Sequence, residues 1–351
     1  MKNSKIIMQD FENTGSADYI EWDKFKDSVI FVTGATGLIG MNFIKTVLWV
    51  SRKKELNIKV AALIRSREKA ENVFEDELGC ENLEFIEGDV QELSEINMPI
   101  DYIVHCASVT ASGQMVKYPV ETFLTMVKGT DNVIRLGKKA EVKGFVYVSS
   151  MEMYGSTEVS QNPITEEKLG YVNLMNVRSC YPEGKRAAEC LCTAYAKEYG
   201  VPVKIARLAQ TFGAGVSSSE TRVFASFAKS ALKNEDIVLH TQGNSVGNYC
   251  YTADVVGALL CLLTKGEAGE AYNVVNEKNS MKIREMAELA AKEISGGKSK
   301  VVFDIPEDSL KYGYAADTNM RLSAEKLRKL GWNSEYELAE MYKRMIAGWE
   351  E

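Results

Sequence analysis

The segment Ser28-Val29-Ile30-Phe31-Val32-Thr33-Gly34-Ala35-Thr36-Gly37-Leu38-Ile39-Gly40 joins a β-branched run to an apolar-periodic one. The run predicts a buried strand over 28–33, and the periodicity predicts a helix over 38–50. Three glycines then fall in the strand-to-helix turn. At this spacing they allow a tight turn, close approach of backbone to a pyrophosphate, and close helix–sheet packing, with the anion at the helix N-terminus. Gly34, Thr36, Gly37, Leu38, Ile39 and Gly40 are therefore the first candidate cofactor-binding residues.

The alternation continues outward from this turn. Strands are expected at 58–64, 83–86, 102–105, 144–149 and 203–208, with helices at 120–139 and 181–199. Strands separated by helices predict βαβ units and a parallel sheet covered on both faces, a doubly wound Rossmann α/β domain over 28–210. Beyond residue 211 the pattern loosens into strands at 237–240 and 248–252 and helices at 254–263, 282–294 and 323–330. This predicts a smaller C-terminal α/β substrate-binding lobe over 211–351, with a soft boundary because sheet-completing strands often return late. Residues 1–27 form a polar, acidic N-terminal extension. Its place stays open between covering a partner subunit, covering an adenosine pocket, and being mobile.

Composition narrows the function. With 351 residues and 45% hydrophobic content, the chain can build one large core or two lobes sharing a cleft. A formal net charge of -7 argues against nucleic acid or an anionic membrane as partner. The seven cysteines, Cys80, Cys106, Cys180, Cys190, Cys192, Cys250 and Cys261, lie outside metal-ligand spacing and read as reduced core thiols. The two histidines, His105 and His240, supply neither a triad nor a zinc motif, and no metal is expected. Neither a signal peptide nor a membrane-length apolar run is read, so a cytoplasmic location is expected.

The second strand runs into Leu63-Ile64-Arg65-Ser66-Arg67, where an acidic residue would hold the adenosine ribose hydroxyls of NAD. Arg65 stands there instead. An arginine pairs with a 2′-phosphate, so NADP stays open beside NAD. Asp89 and Val90 follow the third strand, where a carboxylate would accept from the adenine amino group. Ala107 and Ser108, past the fourth strand, complete the candidate cofactor set.

The chemistry-bearing segment is Tyr181-Pro182-Glu183-Gly184-Lys185 at the start of a helix. Residues four apart share a helix face, so phenol and ammonium can address one pocket. A free tyrosine has a pKa of about 10 and is a poor base at neutral pH. A nearby ammonium and a nicotinamide ring would favour the phenolate, and Lys185 would also bond the nicotinamide ribose. The preceding strand ends Ser149-Ser150-Met151-Glu152, and strand ends face the ligand crevice in an open parallel sheet. Ser150 is the expected hydrogen-bond partner of the reacting oxygen.

The glycine turn, Ser149-Ser150, Tyr181 with Lys185, and Tyr251 with Asp254 ahead of a helix together resemble the extended short-chain dehydrogenase/reductase family, the NAD-dependent epimerase/dehydratase group. The likeness covers roughly residues 28–350. Within that group, 170–189 and Ser150-Met151-Glu152 look most like UDP-glucuronate decarboxylases. That resemblance implies Tyr181 as base for oxidation at the sugar C4, Ser150 as its hydrogen-bond partner, and Glu152 as a second acid–base group. It also implies a nucleotide-sugar site over Met151, Asn173, Gln210, Arg222 and Tyr251, and a homodimer built on the helices at 120–139 and 182–197. Two departures stand out. Gly247 occupies the place of an arginine, which removes a bidentate partner for a phosphate or carboxylate, and Gln210 replaces an asparagine. Met151 stands where 4,6-dehydratases carry an aspartate, which disfavours that reaction.

Three readings follow. The first is an enzyme that oxidises a nucleotide sugar, rearranges it and returns the hydride, and Glu152 favours it. A one-way NADPH-dependent keto-sugar reductase is favoured by Arg65. A catalytically silent dinucleotide-binding sensor or scaffold would have no need of Ser150, Tyr181 and Lys185.

Overall fold

The structure, a computed structural model, describes residues 5–93, 95–305 and 318–350. The first residues of the N-terminal extension and the 306–317 part of the expected C-terminal lobe lie outside the described residues. Helix α1 (Lys5–Ser16) is followed by β1 (Val29–Thr33), α2 (Leu38–Lys53), β2 (Lys59–Ile64), α3 (Arg67–Val73), β3 (Leu83–Glu87) and β4 (Tyr102–His105). Two helices, α4 (Ser112–Lys117) and α5 (Pro119–Lys139), lead to β5 (Gly144–Ser150), α6 (Cys180–Tyr199) and β6 (Val203–Leu208). The later chain forms β7 (Gln210–Phe212), α7 (Val223–Leu232), β8 (Ile237–Leu239), β9 (Val246–Tyr251), α8 (Thr252–Lys265) and β10 (Ala271–Val274). It finishes with β11 (Asn276–Lys282), α9 (Ile283–Ser295), β12 (Val301–Phe303), α10 (Glu325–Arg328) and α11 (Leu338–Glu350).

Seven strands form one sheet in the order β10-β6-β5-β4-β1-β2-β3, and each neighbouring pair runs parallel. Every residue of β1, β4 and β6 is buried, because helices cover both faces. That double burial is why these strands read as continuous apolar runs. Chain order reverses between β1 and β4, and in an open parallel sheet a ligand crevice lies beyond the carboxyl ends of the strands at that point.

The later chain adds a three-stranded sheet, β11-β9-β7, and a two-stranded one, β12-β8. Their core packs Phe212, Phe224, Tyr249, Tyr251, Met286 and Tyr342. Ile7 and Phe11 of α1 belong to the same core, so residues 5–16 are packed into the fold rather than a mobile arm. A buried ion pair fixes them: Arg344 of α11 donates to Asp10 at 2.6 Å, and Tyr251 donates its hydroxyl to the other Asp10 oxygen at 2.7 Å.

Some elements depart from expectation. β10 returns to the main sheet beside β6, and α7 and α11 arise where no helix was read. The helix expected over 323–330 shrinks to Glu325–Arg328, because the Ser323 carbonyl is drawn to Asn273 and Leu322 bridges to Ile164. Among the described residues, no helix is long and apolar enough to cross a membrane.

Candidate active site

The cofactor side begins where β1 meets β4. Gly34 has φ +64°, and a Cβ there would stand 2.8 Å from the Ala107 nitrogen. At Gly40 a Cβ would stand 2.4 Å from the Gly34 carbonyl oxygen. No other residue fits either place without moving backbone. Gly37 is the N-cap of α2 and supplies no side-chain acceptor, so the first-turn N–H groups stay available to an anion. Thr33 ties the two strand ends together: its hydroxyl meets His105 Nδ1 at 2.6 Å and accepts from the Ala107 N–H at 3.1 Å. Burial drives the His105 imidazole down to about 3, and its Nε2 meets Thr130 at 3.1 Å, so it is a neutral wall residue. The cradle fits the pyrophosphate of a dinucleotide, with Ala107 and Ser108 on its β4 side.

At the adenosine end, Arg65 is exposed just past β2. Arg67 is committed to Glu87 at 2.7 Å, and the Ser66 hydroxyl caps α3 through the Lys69 N–H. The Asp89 carboxylate accepts from the Gln91 N–H at 2.8 Å. Val90 offers no side chain to a ligand, since it is buried against Gly129 and its carbonyl accepts from Asn132.

On the catalytic side, α6 buries one face carrying Tyr181, Lys185 and Glu189, spaced four apart. Glu189 fixes that face. Its carboxylate accepts from Arg207 of β6 at 2.7 and 3.0 Å and from the Ser149 hydroxyl of β5. Arg207 also donates to the Tyr154 hydroxyl at 2.9 Å. This buried network sets α6 on the sheet and so sets Tyr181 near Ser150, whose hydroxyl accepts from the Glu152 N–H at 3.2 Å.

Burial pushes the Tyr181 phenol up to about 12, and the Glu152 charge adds to the rise. The Ser150 hydroxyl, Arg178 and Arg222 pull the other way. Lys185 shares the buried face of α6 with Tyr181. Its ammonium donates to the Val148 carbonyl at 2.8 Å, stands 5.8 Å from the Tyr181 ring centroid, and is pushed down to about 8 by burial. Arg178 and Arg222 are among the largest influences that lower the Tyr181 pKa.

Arg178 is the residue that sequence reading left without a role. It sits in the helical turn just ahead of α6, where the Asn176 side chain caps its N–H at 2.9 Å. Its Nη2 donates to both Glu152 oxygens, at 2.8 and 3.1 Å, and its guanidinium lies 5.3 Å from the Tyr181 ring centroid. The available signal was a basic residue three positions before the tyrosine.

The expected substrate residues divide. Met151 is partly buried beside Ser150, and Gln210 and Arg222 are exposed, with Arg222 paired to Glu220 at 2.7 Å. Asn173 is exposed, but its Oδ1 is committed to the Met175 N–H at 3.1 Å. Tyr251 does not serve: it is wholly buried, its ring lies 4.3 Å from that of Tyr336, and its hydroxyl is held by Asp10 and Arg344. Gly247 has a steric cause, since a Cβ there would stand 2.4 Å from the Tyr249 hydroxyl. Tyr249 fills the space an arginine would need. A cavity of about 600 Å3 opens elsewhere, beside α6 and β10, between Arg186, Thr193, Ala271 and Lys326.

Residues 30–276 match the model of the NAD dependent epimerase/dehydratase family. The chain is 32% identical over 234 residues to UDP-glucuronic acid decarboxylase 1 of Xenopus tropicalis, covering 67% of this chain and 53% of that protein. It is 31% identical over 278 residues to UDP-glucuronic acid decarboxylase 1 of Danio rerio, covering 79% and 63%. It thus spans between half and two thirds of the length of these relatives. In fold it is similar to the epimerase Mth375 of Methanothermobacter thermautotrophicus, with a TM-score of 0.75 at 21% identity over 98% of this chain and 95% of that one.

Proposed function

The chain belongs to the NAD dependent epimerase/dehydratase family, and from that premise we propose that it is an enzyme acting on a nucleotide sugar, in which Tyr181 takes the proton from a ring hydroxyl at C4. The observation that carries this reading is that Tyr181 and Lys185 share the buried face of α6 at the carboxyl end of β5, where Lys185 donates to the Val148 carbonyl at 2.8 Å two residues before Ser150. A bound nicotinamide dinucleotide would supply a hydride acceptor that is restored within the same turnover. Gly34, Gly37 and Gly40, with the first turn of α2, would hold its pyrophosphate.

Ser150 orients the sugar oxygen and stabilises the phenolate by hydrogen bonding. Tyr181, a phenol at neutral pH in the ligand-free protein, becomes a base as positive charge gathers around it, and Arg178 and Arg222 contribute in that direction. Lys185 keeps donors beyond the one bonded to Val148 and can hold a ribose hydroxyl. Once the ring carries a ketone, Glu152 beside Ser150 is the second acid–base group, and the ketone activates the neighbouring carbon. That step separates an epimerase or decarboxylase from a simple reductase.

NAD is the cofactor this cycle favours. The exposed Arg65 favours a second reading, a one-way NADPH-dependent keto-sugar reductase. Fresh enzyme incubated with UDP-, dTDP-, GDP- and CDP-sugars, without added cofactor, tests the two. Conversion of one sugar by enzyme carrying its own NAD supports the cycle. Turnover only with added NADPH, lost in Arg65→Ala, would establish the reductase.

We also infer a homodimer through α5 and α6, on which Val120 and Leu124 are exposed, to be checked by light scattering. Seven free cysteines fit a reducing cytoplasm.

A further inference from the structure

Lys185 is a buried cation that meets no counter-ion among the described residues. It is 2% exposed, and its ammonium donates to a neutral group, the Val148 carbonyl, at 2.8 Å. Burial therefore works against its charge. Two carboxylates face it, and both are committed elsewhere: Glu189 to Arg207 and Ser149, and Glu152 to Arg178. The other titratable groups around it are uncharged at neutral pH. They are the His105 imidazole, the Cys106 and Cys192 thiols and the Tyr181 phenol, each held neutral by burial. What remains is the face of a ring. Tyr147 and Ser149, two apart on β5, share one side of the strand. Ser149 bonds Glu189, and Tyr147 lies one step back, its ring centroid 4.9 Å from the Lys185 ammonium. Tyr147 is 1% exposed and packs in one core with Ala188 and Cys192 of α6, which fixes the ring in place. An aromatic face attracts a cation most strongly where water is excluded.

Resting on the reading of Lys185 as an active-site ammonium, we infer that Tyr147 is a positioning residue for the reaction: its ring face holds Lys185 charged and in place behind Tyr181. Tyr147 is sealed in the core, so it acts through Lys185 rather than on a ligand. Burial leaves the Lys185 ammonium ready to lose its proton at about 8. Weakening the ring face lowers that value further, so the amine becomes uncharged nearer neutral pH. Activity that needs the ammonium is then lost from its alkaline side.

The test is an NMR titration of the full chain, isotopically labelled at the lysine Cε, with the Lys185 signal assigned by its loss in Lys185→Met. The native midpoint is expected at about 8. Tyr147→Phe keeps the ring and should leave the midpoint in place. Phenylalanines bearing one, two and three fluorines at position 147 keep the shape while withdrawing charge from the ring face. The midpoint should then fall stepwise, to about 7 with three. Tyr147→Leu, which removes the ring, should fall at least as far. The alkaline limb of kcat/KM should move down in parallel with the midpoint. A midpoint indifferent to fluorination would overturn the inference, as would a midpoint that falls while the alkaline limb stays where it was. Failure of the native enzyme to convert any nucleotide sugar would overturn the functional reading, whereas the titration would still decide whether the Tyr147 ring holds the cation.

Discussion

The Lys185 ammonium donates to the Val148 carbonyl at 2.8 Å and stands 5.8 Å from the centroid of the Tyr181 ring, so the two residues share a helix face without sharing a hydrogen bond. The consequence is a division of labour. Lys185 lies buried behind the phenol, where it can hold a ribose, while the proton affinity of Tyr181 is raised by burial and Glu152 and lowered by Ser150, Arg178 and Arg222.

Replacing Tyr181 by Phe removes the base and little else, since the ring stays packed against Met115 and Met126. Turnover is expected to fall by about 10² or more. Dinucleotide content, read by mass after denaturation, should be unchanged. Loss of dinucleotide together with turnover would give Tyr181 a binding role instead.

The charge order around the phenol fixes a pH response. Tyr181 acts as a base only when deprotonated, so kcat/KM rises with pH towards its pKa, which burial raises in the ligand-free protein and a bound, positively charged nicotinamide would lower. Glu152 raises that pKa, so Glu152→Gln should move the rising limb to lower pH. Arg178 lowers it, so Arg178→Gln should move the limb upward. A pH profile of each variant checks the signs, and shifts in the same direction would refute the assignment.

Arg344 and Asp10 are both buried, and Tyr251 is bonded to both. Arg344→Met would leave the Asp10 charge unpaired, at an expected cost of about 3–5 kcal/mol. Combining it with Asp10→Asn should recover part of that loss, because no charge is then stranded. Denaturant titration of the single and double variants measures the coupling. Strict additivity would mean that the ion pair does not anchor α1.

What the sequence discloses follows from where the stabilising partners lie. The strands β1, β2, β4, β5 and β6 are apolar runs because both faces are buried, and local pattern suffices to find them. β10 carries Asn273, whose burial depends on the distant Tyr154 hydroxyl and the Ile164 and Ser323 carbonyls, so its pattern is not that of a core strand. α1 is held through an acid whose partner is 334 residues away, which makes a core helix read as a polar extension. Tyr181 and Lys185 announce themselves by spacing within one helix. Arg178 does not, because its meaning comes from Glu152, 26 residues earlier on another element. Tyr251 was misplaced for a related reason: an apolar ring ahead of a helix reads alike whether it lines a cleft or is sealed beneath α1 and α11.

The central claim is that one hydride leaves the sugar and comes back to it. A nucleotide sugar deuterated at C4, incubated with enzyme carrying only its own dinucleotide, tests this in a single mass measurement of product. The account predicts that the product keeps the deuterium, with no reduced dinucleotide accumulating in solution. Deuterium appearing in free reduced dinucleotide, or product formed only when reduced cofactor is supplied in stoichiometric amount, would contradict it.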